Sequence, residues 1–163
     1  MSANMLFSES TVILGIETSC DETAAAVVMG GNDVLSSVVA TQIDLHARYG
    51  GVVPEIASRA HVEAMNVVIR QAVLQSGVPI ERIDAVAATV GPGLIGALLV
   101  GVAAAKSVAL VLDKPFIGVN HLEAHLYAAL LDDPHVEFPM LVVLVSGGNT
   151  LFVEMRGHGD FSV

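Results

Sequence analysis

The chain has 163 residues, of which 53% are apolar and 15% charged, while aromatic residues make up only 4%. A chain of this length is usually one domain, and its core must be built from Val, Ile, Leu and Ala, as in sheets covered by helices on both faces. Seven basic residues against seventeen acidic ones give a formal charge of −10, which argues against a dedicated nucleic-acid binder because phosphate contacts need clustered Lys and Arg.

The N-terminal segment predicts a tail followed by two strands. Residues 1–10 lack the basic start and apolar run of an export signal, so we expect a loose tail. Residues 12–17 and 24–29 are short apolar runs, and the polar residues 18–23 between them predict a turn. This turn holds the chain's single cysteine, Cys20. One cysteine excludes an internal disulfide and suits a reducing cytoplasm, and its acidic neighbours disfavour a thiolate, so we expect Cys20 to be a small buried filler.

A hairpin signal and a proline-led helix follow. Residues 30–33, Gly-Gly-Asn-Asp, predict a tight turn into a third strand at residues 34–41. Pro54 suits the first turn of a helix that we expect to run to about residue 75. Its apolar residues recur at helical spacing: Ile56, Ala60, Ala64, Val67, Val68 and Ala72.

The next segment predicts a strand at residues 83–90 and a long apolar helix at residues 94–112. That helix has about the length of a membrane span, but it carries Lys106 and lies between strand-like runs, which favours a buried helix of an α/β domain. Gly96 and Gly101 lower its helical stability, so close packing against another backbone is a plausible reason for them.

The remaining elements are a fifth strand at residues 115–119, a helix to about residue 131, and a hairpin of strands 140–145 and 151–155. The order β-β-β-α-β-α-β-α, followed by a second hairpin, is the layout of actin-like and ribonuclease-H-like α/β folds. We therefore predict an N-terminal lobe at residues 11–135 and the start of a truncated second lobe at residues 136–163. We interpret the chain as a fragment.

Two histidines four residues apart, His121 and His125, lie at the start of the predicted fourth helix. At about 100° per residue their side chains lie some 40° apart on one helix face, where both can ligate one metal ion. Glu123 lies about 200° from His121, unlike the general base of His-Glu-x-x-His proteases. At least one further ligand must come from elsewhere, and the alternative is a helix with two solvated histidines.

Five ordered motifs resemble one family. They are Ile13 to Thr23 (ILGIETSCDET), His46 to Glu55 (HARYGGVVPE), Gly91 to Leu94 (GPGL), His121 to His125 (HLEAH) and Val145 to Thr150 (VSGGNT). Together they look like the TsaD family of tRNA threonylcarbamoyladenosine transferases, formerly called the glycoprotease family. The resemblance covers nearly the whole chain after residue 10.

The resemblance implies transfer of a threonylcarbamoyl group from threonylcarbamoyl-AMP to the exocyclic amine of the adenosine beside the tRNA anticodon. It implies one divalent metal ion, iron or zinc, held by His121, His125 and an aspartate beyond this chain. Asp21 and Glu22 would lie near the reaction centre. The stretch that contacts the adenylate would be Leu144, Val145, Ser146, Gly147 and Gly148.

Several readings of these residues stay open. Asp21 or Glu22 could act as the general base for the attacking amine, or could orient a metal-bound water. The alternative is that the hairpin tip carries acidic residues only because it is solvated. His46 and His61 flank the Gly50–Gly51 loop without an assigned chemistry, and a surface or capping role is equally compatible.

The resemblance further implies a TsaB-like paralogue and a TsaE-like ATPase as partners, a cytoplasmic location and no membrane association. The apolar helices at residues 54–75 and 94–112 would contribute to the paralogue interface. Three competing classes are a non-catalytic TsaB-like scaffold, an actin-like small-molecule kinase and a metalloprotease. The histidine pair argues against the scaffold, and the position of Glu123 argues against the protease.

Overall fold

The computed structural model describes residues 8–133, 135–146 and 150–163. The chain divides into two compact units, Met1–His121 and Leu122–Val163. The sequence predicted a boundary between two lobes after residue 135. A compact unit is defined by packing, whereas a lobe is defined by topology, so the two boundaries need not coincide. The lobe boundary therefore stays a prediction. Of the predicted tail, residues 1–7 lie outside the described residues, while the Thr11 amide donates to the Ser8 carbonyl at 2.9 Å and closes a turn.

The first unit contains a five-stranded mixed sheet in the order β3-β2-β1-β4-β5. Strand β1 pairs antiparallel with β2 and parallel with β4, while β3 is antiparallel to β2 and β5 is parallel to β4. Parallel neighbours need a crossover connection, which the helices between them supply. The strands are β1 (Val12–Glu17), β2 (Glu22–Met29), β3 (Asp33–Thr41), β4 (Ala85–Gly91) and β5 (Phe116–Asn120).

Within the described residues the α-helices are α1 (Ile43–Ala47), α2 (Pro54–Ser76), α3 (Ile95–Leu112) and α4 (His121–Asp132). The predicted strands and long helices are confirmed, with ends shifted by a few residues. Helix α1 and the 3₁₀ turn at Ile80–Arg82 were not predicted. They have five and three residues, too few for an apolar repeat to be recognised at helical spacing.

Helix α2 covers the sheet with one face. Its buried residues are Ala57, His61, Met65, Val68 and Ala72. Met65, Val68 and Ala72 pack with the buried positions of β1 and β2, such as Leu14 and Val27. Of the apolar residues that recur at helical spacing, Val68 and Ala72 are buried, whereas Val67 is 55% exposed. The buried face also contains His61, which an apolar pattern does not select.

The fully buried positions of helix α3 are small residues, while Val100, Val108 and Leu112 pack against the core partly buried. Its buried positions recur every four residues: Ala97, Gly101, Ala105 and Ala109. Large aliphatic side chains cover the opposite side, with Ile95 at 77% and Leu110 at 82% exposed. The prediction that α3 is a buried helix is therefore confirmed for the face that packs on the sheet and wrong for the opposite face. By length and hydropathy α3 could also cross a membrane. A single helix with these properties is weak evidence for a membrane span.

The two glycines of α3 allow close packing against side chains, whereas the sequence predicted close packing against a backbone. A Cβ on Gly101 would lie 2.3 Å from Thr18 Oγ1 and 3.3 Å from Thr18 Cβ, and a Cβ on Gly96 would lie 2.5 Å from Ser58 Oγ. Thr18 is 1% exposed, and its hydroxyl donates to the Ala97 carbonyl at 2.9 Å. Thr18 therefore cannot move aside, whereas Ser58 is only half-buried and its hydroxyl can rotate.

We expect Gly101→Ala to lower the free energy of unfolding by about 1–3 kcal/mol, because overpacking outweighs the gain in helix propensity. The matched substitution Gly96→Ala in the same helix should cost less or be neutral. Urea unfolding of both variants measures the difference. Equal stabilities for the two variants would contradict the assigned packing.

The second unit contains helix α4 from Leu122 and a three-stranded antiparallel sheet in the order β6-β7-β8. Leu126, Val153 and Met155 form its small buried cluster. The strands are β6 (Met140–Val145), β7 (Thr150–Gly157) and β8 (Asp160–Ser162). The second hairpin predicted from the sequence is confirmed, and β8 is an additional strand.

Candidate functional site

The turn between β1 and β2 presents two acidic side chains to the surface. Asp21 is half-buried, and Glu22, at the first position of β2, is exposed. The backbone of Glu22 pairs with Thr41 of β3, which fixes its position at the sheet end. Both carboxyl groups therefore lie where an external molecule can reach them, and their role stays a prediction.

Glu17, the last residue of β1, is a third acidic residue at this place, which sequence reasoning did not select. Its carboxylate accepts hydrogen bonds from the Ser19 amide and from the Thr89 hydroxyl. Burial alone would raise the pKa of Glu17, but the hydrogen bonds from Ser19 and Thr89 and the nearby His121 hold this pKa below its usual value. The sequence signal that could have identified Glu17 is a charged residue at the end of an apolar strand.

His121 faces this carboxylate. Its Nδ1 lies 3.5 Å from Glu17 Oε2 and 3.2 Å from Ser19 Oγ. A carboxylate next to Nδ1 favours the tautomer that carries a proton there, and this places the ligating lone pair on Nε2. Metal-binding histidines commonly show this carboxylate–histidine arrangement.

His125 follows one turn later on α4 and is exposed. Among residues 8–133, 135–146 and 150–163, no group of three or more His, Cys, Asp and Glu side chains is arranged to hold a metal. The donor chemistry of His121 thus fits a divalent ion, while a closed site needs more ligands than two imidazoles. The metal stays a prediction.

Cys20 is exposed, so its predicted role as a buried filler is wrong. The turn is held through its backbone, and the Cys20 side chain remains exposed to solvent. Partial desolvation, a hydrogen bond with Asp21 and nearby carboxylates raise the pKa of the thiol. A thiol with a raised pKa is a poor nucleophile near neutral pH, in agreement with the sequence argument.

The two other histidines near the turn are internal. His46 is 3% and His61 0% exposed, which excludes a surface role for either. Burial lowers the pKa of His61, so its ring is neutral near pH 7. The sequence could not show this, because a histidine on an apolar helix face fits either a buried or an exposed position.

The predicted adenylate-binding stretch belongs to the second unit. Leu144 is buried at 7% exposure, and Val145, which ends β6, is exposed. Ser146 follows and is exposed. Gly147 and Gly148 lie outside the described residues.

The strand order, the crossover helices and the polar turn after β1 define an α/β fold of the actin-like, ribonuclease-H-like class. YeaZ from Pseudomonas aeruginosa has a similar fold, with a TM-score of 0.56 and 16% identity over 87% of this chain and 64% of that one. The PPX-GPPA enzyme of Aquifex aeolicus matches with a TM-score of 0.51 and 13% identity over 91% of this chain and 49% of that one.

The family follows from the sequence comparisons. A family model described as TsaD, tRNA N6-adenosine threonylcarbamoyltransferase, matches residues 33–163, and the chain belongs to this family. Proteins named tRNA N6-adenosine threonylcarbamoyltransferase from Symbiobacterium thermophilum and Clostridium perfringens are 62% and 52% identical over 91% and 95% of the chain. The chain spans 43% and 46% of the length of these two curated relatives.

Proposed function

We propose that the protein containing this chain is a tRNA threonylcarbamoyltransferase. It would move the threonylcarbamoyl group from threonylcarbamoyl-AMP to the exocyclic amine of the adenosine next to the tRNA anticodon. The observation that carries the proposal is the family membership of a chain that retains Asp21, Glu22, His121 and His125. The proposal concerns the whole protein, because this chain spans less than half of the relatives' length.

The chemistry assigns separate tasks to the two acidic residues and to the glycine turn. The donor is a mixed anhydride, so its AMP leaves readily, and the attacking amine must lose a proton as the new bond forms. Asp21 or Glu22, both at the accessible turn, would accept that proton or orient a water that does. The stretch Leu144–Gly148 would bind the adenylate, since amides around small residues suit phosphate oxygens.

A divalent ion, iron or zinc, would be held by His121 and His125 together with ligands from outside the described residues. Such an ion supplies Lewis-acid stabilisation of negative charge on carbonyl or phosphate oxygens. Glu17 supports this role for His121, because the carboxylate fixes the ring orientation and the proton on Nδ1.

The proposed partners are tRNA, a TsaB-like paralogue and a TsaE-like ATPase, in the cytoplasm. The exposed aliphatic side chains of α2 and α3 support a protein partner on these helices, because large apolar patches rarely face water. They are Val62, Val67 and Leu74 on α2, and Ile95, Leu99, Leu110 and Val111 on α3. The charge of −10 implies that a partner or the remaining sequence supplies most phosphate contacts.

The test uses the full-length protein with synthetic threonylcarbamoyl-AMP, unmodified tRNA and the paralogue, and measures the modified nucleoside by mass spectrometry. Replacing both acids, Asp21→Asn with Glu22→Gln, should lower the rate about 10²–10⁴-fold. Asp44→Asn, at an exposed position of α1, is the matched control and should stay within about twofold of wild type. Failure of the wild-type protein to modify tRNA, with release of ADP from ATP and a small substrate, would favour the kinase alternative.

A further inference from the structure

A continuous chain of buried hydrogen bonds links α2 to the β1–β2 turn. The Val53 amide donates to His46 Nδ1 at 3.4 Å, and His46 Nε2 lies 3.0 Å from Gln42 Oε1. Gln42 Nε2 lies 3.3 Å from His61 Nδ1, and His61 Nε2 lies 3.1 Å from the Cys20 carbonyl oxygen. Gln42 is 6% exposed, so all three internal members of the chain are buried.

The two ends of this chain determine where every proton lies. A backbone amide such as Val53 N–H can only donate, so His46 Nδ1 accepts and its Nε2 carries the proton. Gln42 Oε1 therefore accepts from His46, and the Gln42 amide nitrogen donates to His61 Nδ1. His61 Nε2 then donates to the Cys20 carbonyl, which can only accept. A proton added to either ring would place two donors against each other.

The same residues hold the turn at further points. The Thr23 hydroxyl lies 2.8 Å from His61 Nδ1, and the backbone amide of Gln42 donates to the Asp21 carbonyl at 3.0 Å. Ser19 is held separately, because its carbonyl accepts from the Leu94 amide at 2.8 Å.

Three consecutive carbonyls of the turn thus accept from fixed donors. They are those of Ser19, Cys20 and Asp21. With the carbonyls bound on the protein side, the acidic side chains are left on the outer side of the turn. A buried polar chain of this kind is rigid when every member is satisfied, and it has no evident task in the packing of the aliphatic core.

We propose that His61 and His46, coupled through the side-chain amide of Gln42, are positioning residues for the turn that carries Asp21 and Glu22. They touch no substrate; they fix the turn in one geometry. The positioning of the turn stands on the structure, and its effect on catalysis rests on the proposed function. Burial lowers the pKa of His61, and the neighbouring His46 lowers it further, although the Cys20 carbonyl and the carboxylates of Glu17 and Asp21 raise it.

The test removes the coupling amide, whose nitrogen also donates to the Ala57 carbonyl at 3.4 Å. Gln42→Leu in the full-length protein keeps the side-chain size and the backbone amide that holds Asp21, but it breaks the link between the two histidines. Ser36→Ala is the matched control. The Ser36 hydroxyl is also buried and donates to the Ala72 carbonyl at 2.7 Å, and so it likewise joins β3 to α2, but it lies away from the turn.

Cys20 gives a readout that does not depend on activity. Partial burial of the thiol, a hydrogen bond with Asp21 and the nearby carboxylates raise its pKa, and these surroundings are set by the geometry of the turn. Peptide mass spectrometry can follow alkylation of this thiol by iodoacetamide as a function of pH. We expect Gln42→Leu to lower the thiol pKa and to raise the alkylation rate at pH 7.5 by about 3–10-fold, since the thiolate fraction controls the rate. Ser36→Ala should stay within about twofold of wild type.

Transfer activity gives the second readout. Gln42→Leu should lower kcat by about 10–100-fold, the usual effect of losing a group that orients a functional residue, with little change in KM for threonylcarbamoyl-AMP. Ser36→Ala should leave kcat within about twofold. Unchanged alkylation of Cys20 in Gln42→Leu, or equal loss of kcat in both variants, would overturn the positioning role. If Gln42→Leu alters the alkylation of Cys20 but the wild-type protein shows no transfer activity, the proposed function alone would be refuted.

Discussion

His121→Ala and His125→Ala, each made in the full-length protein, are expected to lose the bound divalent ion and to lower threonylcarbamoyl transfer about 10³-fold or more. The reason is that a Lewis acid contributes several kcal/mol of charge stabilisation, and each 1.4 kcal/mol corresponds to a factor of ten in rate. Metal content by elemental analysis and the transfer rate should fall together. The folded state should persist, because His125 is exposed and His121 only partly buried.

His135→Ala is the matched control for this pair, because His135 is an exposed imidazole outside the helix. It should keep both metal and activity. Retention of stoichiometric metal in His121→Ala and His125→Ala would contradict the assigned ligands. Loss of metal with full activity would mean that the ion has no part in the transfer.

Glu17→Ala is expected to have the second-largest effect. It removes the acceptor of the Ser19 amide and the Thr89 hydroxyl, and it leaves His121 without its carboxylate. Each buried donor left without a partner costs about 1–3 kcal/mol. We expect a loss of about 2–6 kcal/mol in the free energy of unfolding by this summation, together with weaker metal binding.

Glu17→Gln separates the hydrogen bonds from the charge. Its amide can accept from Ser19 and donate to Thr89 once that hydroxyl rotates, so stability should recover most of the loss. Metal affinity should remain about 10–100-fold weaker, because a neutral amide supports the Nδ1–H tautomer of His121 less well. Urea unfolding and metal titration measure the two effects. Wild-type metal affinity in Glu17→Gln would show that the charge does not act on His121.

The sequence predicted the architecture well because the strands and helices have strong local signals. Alternating or continuous aliphatic runs, the glycine turns around Gly30 and Gly77, and Pro54 at the start of α2 each identify an element through its own residues. Helix α1 has no such signal at five residues. The fold class followed from the order of elements, and the strand order and the neighbouring folds agree with it.

The packing details did not follow from local patterns. Cys20 was expected to be a buried filler because its acidic neighbours disfavour a reactive thiolate, yet the turn leaves it exposed. His61 was given no role, because an isolated histidine has no preferred face. The fully buried positions of α3 carry Ala and Gly, while several of its large aliphatic residues, such as Ile95 and Leu110, are outside. For His61 and α3 the decisive contacts, with Cys20 and Thr18 respectively, come from residues far away in the chain.

By itself the sequence determined the family, the order of strands and helices, and the candidate residues Asp21, Glu22, His121 and His125. These depend on motifs and on periodicities that neighbouring residues carry. Only the tertiary structure decided that Glu17 meets His121, 104 positions later, and that Gln42 joins His46 to His61. Such contacts arise when the sheet brings distant strand ends together, and no local pattern encodes the distance between two side chains from different elements.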